Sequence, residues 1–127
     1  MFPMATQTRK RTYSDVIKKE IDPDFSREAI TIASGAGILD IGTVLGQITA
    51  SGKYVLHNNA ANDGSEVAAG VLGEAVDATN NDVMALGVTW GAIVVLPALT
   101  FKNGISNANK AAAIAALAAK KILVRDV

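Results

Sequence analysis

Gly42-Thr43-Val44-Leu45-Gly46-Gln47-Ile48-Thr49-Ala50-Ser51-Gly52-Lys53-Tyr54-Val55-Leu56 is the stretch on which the fold turns. Val44, Gly46 and Ile48 alternate with Leu45, Gln47 and Thr49, a period of two that belongs to a strand rather than a helix. Ala50-Ser51-Gly52-Lys53 interrupts the alternation, and Gly52 can take the positive φ that a short hairpin loop needs. Tyr54-Val55-Leu56 resumes with residues that favour a half-buried pleat. Gly42 and Gly46 carry no side chain, so another backbone can cross the ribbon closely there, or the strand can bend. The expectation is a hairpin ribbon with an arm before it, and more β-structure closed off by one helix after it.

The neighbouring segments fit that expectation. Glu28–Ala33 alternates cleanly as a strand, Ser34-Gly35-Ala36-Gly37 breaks it, and Ile38–Ile41 leads into the ribbon. After Leu56, residues 57–65 are a polar loop with a strong Asp63-Gly64 turn signal. Val67–Ala78 reads as one strand punctuated by Gly70 and Gly73. Val83–Phe101 is 19 residues without a charge, long enough to span a membrane. Gly87, Gly91 and Pro97 interrupt it, Ile93-Val94-Val95 is β-branched, and no basic cluster flanks it, so two buried strands separated near Gly91 are expected and no membrane.

Near the C-terminus, Ser106-Asn107 offers an N-cap and Ala111–Ala119 has the composition of a strong helix former. Ile114 and Leu117 form a narrow apolar stripe, expected to make core or subunit contacts. The nine residues 111–119 carry no charge, whereas a solvent-facing helix normally has a charged side. Contact on more than one side is implied, which in so small a chain points to a homo-oligomer. Ile122–Arg125 reads as a last strand.

Residues 1–28 differ in kind: 11 are charged with mixed sign, none is glycine, and apolar residues are sparse. Tyr13, Val16 and Ile17 fall at i, i+3, i+4 and suit one short helical turn, which Pro23 would stop. The expectation is a flexible arm, contributing little to the core, whose few apolar anchors order on a partner. Those anchors are Tyr13, Val16, Ile17 and Phe25.

Composition narrows the function. A chain of 127 residues suits one domain, and only six aromatic residues leave the core to small and β-branched side chains. Twelve basic and twelve acidic residues give no global field for nucleic acid or a membrane surface. Arg9-Lys10-Arg11 stands beside acids and reads as solvated, and the N-terminus has no signal-peptide apolar core. Without cysteine there is no disulfide, thiolate metal site or cysteine nucleophile. His57 reads as a solvated loop histidine, Asp63–Glu66 lacks the oxygens of a calcium loop, and Glu74 and Asp77 make a poor acid–base pair. No catalytic residue, cofactor site or metal site is expected.

An ordered series of short motifs carries a resemblance. Tyr-Ser-Asp-Val-Ile-Lys-Lys-Glu at 13–20, Ala-Ile-Thr-Ile-Ala-Ser-Gly-Ala-Gly at 29–37 and the ribbon at 42–55 resemble the bacteriophage head decoration protein D family of lambda-like phages. Asp-Gly-Ser-Glu-Val-Ala-Ala-Gly-Val-Leu at 63–72, Glu-Ala-Val-Asp-Ala-Thr at 74–79, Trp-Gly-Ala-Ile-Val-Val at 90–95 and the Ala-rich helix continue it in order, over roughly residues 13–125. Each piece alone is a glycine-punctuated strand, and the ordered series is what is specific. Met1–Thr12 is an extension for which the family pattern gives no role.

The resemblance implies a β-clip-like fold and a trimer at three-fold positions of an expanded icosahedral head. There it would clamp the major capsid protein against internal DNA pressure on the outer surface of the virion, with no catalytic residues. The fold expected from the residues themselves is mainly β with one C-terminal helix, a small α+β domain. It occupies residues 29–127, with the helix at about 107–119 and a capsid-binding arm at 1–28 before it. A virion-surface module binding a host glycan, and a small β-barrel that binds a ligand or acts as an enzyme, are the alternatives.

Overall fold

The computed structural model describes residues 12–20 and 26–126. In chain order it contains a one-turn helix α1 (Tyr13–Val16), then β1 (Ile17–Glu20), β2 (Arg27–Ile32), β3 (Gly37–Leu39), β4 (Val44–Gln47) and β5 (Tyr54–Leu56). β6 (Ala68–Leu72), β7 (Val76–Ala78), β8 (Val83–Val88) and β9 (Ala92–Val95) follow. A 3-10 turn at Leu96–Ala98, helix α2 (Asn107–Ala119) and β10 (Ile122–Arg125) complete the order. The chain is thus mainly β with one long helix near its C-terminus.

The ribbon forms as its alternation dictates. β4 and β5 pair antiparallel with Leu45 opposite Leu56 and Gln47 opposite Tyr54, and Gly52 turns the hairpin at φ +74°. A Cβ on Gly46 would collide with the backbone of Ser65, and one on Gly42 with the carbonyl oxygen of Ala98. These are the close backbone crossings expected at the two glycines.

The ribbon then becomes part of a closed barrel in the order β2-β5-β4-β6-β8. β2 and β8 close it through six antiparallel pairs, from Arg27 opposite Val88 to Ile32 opposite Val83. On the other side of β2, the parallel contact with β5 is the single pair Ile32–Tyr54. Ile30, Ile32, Leu45, Tyr54, Leu72 and Ala85 converge as the barrel interior, and Leu39, Val76 and Ala78 of the β3–β7 pair join the same core.

A second core lies outside the barrel. Val44, Ala68, Val71 and Val88 belong to barrel strands yet pack with Val94, Ala113, Leu117 and Ile122. The β1-β9-β10 sheet and α2 cover that outer face. Because side chains alternate along a strand, β4, β6 and β8 supply both cores from opposite faces. β6, Ala-Ala-Gly-Val-Leu, is buried along its whole length and carries no polar residue, as burial on both faces requires.

Two segments depart from the expected layout. Val67–Ala78 is two strands rather than one: Gly73 N–H donates to Leu86 O at 2.8 Å, and the chain leaves the barrel to pair β7 with β3. The uncharged run 83–101 forms β8 and β9, separated by Gly91 at φ +60°, as expected. Among the described residues, no helix is long and apolar enough to cross a membrane.

Candidate interaction surfaces

The first surface is the N-terminal segment, and its packing differs from a free arm. Val16 and Ile17 are buried in the outer core, and β1 adds an antiparallel strand to β9 with Ile17 opposite Val94. The backbone of β1 covers the edge of β9, and the Val16 and Ile17 side chains cover part of the apolar outer face of the barrel. Arg27 fastens the segment by two parallel bonds to Glu20, Nε to Oε2 at 2.9 Å and Nη2 to Oε1 at 2.8 Å. This fork geometry is a strong form of charge-assisted hydrogen bond. The guanidinium also lies 4.8 Å from the centre of the Tyr13 ring.

The same cluster shifts its titrations. Arg27 holds the Glu20 carboxyl below the usual glutamate range. Burial, reinforced by the Glu20 carboxylate, pushes the Tyr13 hydroxyl up to about 12. That hydroxyl has no hydrogen-bond partner among the described residues. Of the expected capsid anchors, then, Val16 and Ile17 are core residues here, Tyr13 is half-buried and Phe25 lies outside the described residues, as does the basic run Arg9-Lys10-Arg11.

Helix α2 forms the second surface. Ser106 caps it, its Oγ accepting from Asn109 N–H at 3.1 Å. Ala113 and Leu117 face the outer core, with Leu117 fully buried. Ile114 lies to one side of that line and is half-buried, so the two residues of the expected stripe separate into a core contact and a marginal one. Ala108, Ala111, Ala112, Ala115, Ala118 and Ala119 are exposed, and all of them present methyl groups. The helix ends at Ala119, and just beyond it Lys121 takes φ 63°, the one non-glycine in the left-handed region among the described residues.

In the loop after β5, His57 is not the solvated histidine expected: it and Ser65 are buried at the loop's two ends, while Asn59, Ala60, Asn62 and Asp63 are exposed. His57 is 3% exposed and its Nε2–H donates to the carbonyl of Glu66 at 3.0 Å, while Nδ1 has no partner among the described residues. Asn58 N–H reaches Ser65 O at 3.1 Å and Thr49 N–H reaches Asp63 O at 2.8 Å, folding the loop back across the ribbon. Asp63 accepts from Ser65 N–H at 3.0 Å and from the Ser65 hydroxyl, which holds its carboxyl below the usual range. Glu66 accepts from Gly64 N–H at 2.8 Å. These carboxylates brace the loop.

Elsewhere, Asp77 accepts from the hydroxyl and N–H of Thr79, and Asp82 from Lys53 Nζ at 2.6 Å and Ser34 N–H at 2.7 Å. Both carboxyls are held low by these bonds. Glu74 and Asp77 are exposed, Asp77 on β7 and Glu74 in the turn before it. No group of three or more His, Cys, Asp or Glu placed to hold a metal occurs among the described residues.

Large apolar side chains remain in solvent: Ile38 is 78% exposed, Met84 69%, Val67 55%, Trp90 41% and Leu123 36%. Sequence reasoning missed these surfaces. Half of a strand's side chains point outward, and which half remains uncovered depends on the distant layers packed over it.

Comparison with protein-family models gives a match. The family model for bacteriophage lambda head decoration protein D matches residues 6–122, nearly the whole chain. None of the curated proteins compared with the chain matches it.

Proposed function

The chain belongs to the bacteriophage lambda head decoration protein D family, and from that membership we propose that it binds as a homotrimer at three-fold positions of the expanded phage head and stabilises the shell against packaged DNA. The family is one of structural phage-head proteins, so capsid decoration is the function. The trimer, the three-fold site on the outer surface and the mechanical role are the proposal. The observation that carries it is the family match across residues 6–122. The uncharged exposed face of α2 supports self-association. We read the barrel with its two added sheets as a β-clip-like body.

The mechanism is mechanical and asks no catalysis or cofactor of the chain. A rigid trimer spans joints between major capsid protein subunits, and three arms on one body give avidity although each contact is weak. A partner surface formed only on expansion favours the expanded shell by differential affinity. The arm, residues 1–28, is the proposed capsid-contacting segment, with Phe25 and Tyr13 among its anchors. Val16 and Ile17 reach a capsid only where α1 and β1 leave the body.

Image reconstruction of the purified phage tests the proposal. Trimeric protrusions on the three-fold axes, assigned to this chain by mass spectrometry, are expected. Bare axes, or protrusions built by another protein, overturn it.

A further inference from the structure

We propose that the apolar groove on the outer face of the β1-β9-β10 sheet, flanked by Lys19 and Lys121, receives Ile38 and the Asp77 carboxylate of a second copy of this chain. The inference rests on the homo-oligomer reading and names the surfaces that meet.

The groove encloses about 250 Å³ over Ala92, Ile93 and Leu123, with the two lysines at its margins. Among the described residues no carboxylate lines it, so the group that suits it is apolar with an anion beside it. The backbone gives a second sign. Lys121 holds φ 63° just past the end of α2, where glycine is the favoured residue. A cation stands at the groove where the backbone alone would select glycine, and such local strain accumulates at functional positions.

The complementary shape is on the same molecule. Ile38 is the most exposed large hydrophobic side chain among those described. It sits on β3 directly opposite Asp77 of β7, and Asp77 is exposed. The zero net charge conceals a polarity that matches. From Glu28 to Asp82 there are seven carboxylates and one lysine, whereas from Val83 to the end there are five basic residues and one acid. Apolar knob and groove lie on different sheets and share no residue. The contact is therefore heterologous, each copy giving its knob to one neighbour and its groove to another, and three such contacts close a ring. Nucleic acid would match the lysines but offers nothing to fill the apolar floor.

Sedimentation of the full chain across micromolar concentrations tests this, with thermal unfolding as the check on folding. Lys121→Glu and Asp77→Lys should each raise the concentration at which the oligomer dissociates by at least about tenfold, because like charges then face each other. The double variant should return it to near the wild-type value. Lys121→Gly should weaken the oligomer while raising the melting temperature of the monomer, since glycine relieves the backbone. If Lys121→Glu fails to fold, Lys19→Glu paired with Asp77→Lys makes the same exchange. Single reversals that sediment as wild type, or a double variant no better than either single, overturn the inference and leave the trimer reading standing. An intact Lys121→Glu oligomer that no longer decorates heads assigns the groove to an acidic capsid segment and also overturns it. A monomeric wild type overturns both readings.

Discussion

Replacing Val16 and Ile17 together by Ala tests whether the N-terminal segment belongs to the folded body. Val16 is 0% and Ile17 5% exposed, and both pack in the outer core. Trimming a buried Ile to Ala costs about 2–5 kcal/mol, and removing two buried methyl groups from Val costs about 1.6 kcal/mol before any cavity term. The side chains are adjacent, so the two losses need not add, and about 4 kcal/mol is expected for the pair. Against a domain stability of about 5–15 kcal/mol that is a large fraction. At roughly 3–5 °C per kcal/mol for a chain of this size, the melting temperature should fall by about 12–20 °C. Thermal and urea unfolding followed by circular dichroism measure it, with Lys18→Ala on the exposed side of β1 as a control expected to change little. A double variant melting within a couple of degrees of wild type would refute the reasoning. Residues 13–20 would then be an appended arm, and the boundary at residue 28 would stand.

Gly46→Ala should destabilise the ribbon by more than about 2 kcal/mol, because its Cβ would meet the backbone of Ser65, which cannot rotate away; a variant as stable in urea as wild type contradicts the crossing. Ile114→Asp should dissociate the proposed oligomer while the monomer stays folded, whereas Leu117→Asp should prevent folding, since Leu117 is fully buried; sedimentation with circular dichroism separates the two outcomes. The Asp82 carboxyl is held low by Lys53 and Ser34, so its folded value lies below its unfolded one, and its stabilisation is present at neutral pH and lost as pH falls below the ordinary carboxylate range. Asp82→Asn should therefore be less stable than wild type at pH 7, and the gap should close on acidification; a gap independent of pH counts against the pairing.

The local parts of this fold were legible in the sequence, and the long-range parts were not. The Ser106 cap, the helix to Ala119 and the hairpin at Gly52 rest on neighbours within a few residues, where propensity and period act. Barrel closure rests on β2 meeting β8 and on one Ile32–Tyr54 pair, and no local pattern announces either. His57 looks solvated by composition, yet the carbonyl that it reaches is nine residues further on. The three apolar residues Tyr13, Val16 and Ile17 were visible as a group. That they fill the chain's own core depends on β9, far along the sequence. Of the surfaces, the methyl face of α2 showed through its missing charges, whereas exposed Ile38 and Met84 are indistinguishable in sequence from buried strand residues.

The two cores share three strands, and this determines how the molecule can yield. Val44 and Leu45 are adjacent on β4, one in each core, and β6 divides Val71 from Leu72 in the same way. Detaching α2 and β10 would expose the outer faces of Val71 and Val88 and strip one side from strands that also wall the barrel. Opening the barrel would in turn remove the floor on which α2 rests. Neither layer can open at low cost without the other, so the body should unfold as one cooperative unit. The proposed clamp on a shell under tension needs this property, because a layer that peeled away would release its grip below the strength of the whole. Native-state hydrogen exchange measures it directly. The amides of β4, β6, β8 and β9 and those of central α2 should share one opening free energy, equal to that of global unfolding. A distinctly lower value for α2 and β9 than for the barrel strands would show a separable outer layer and refute the coupling.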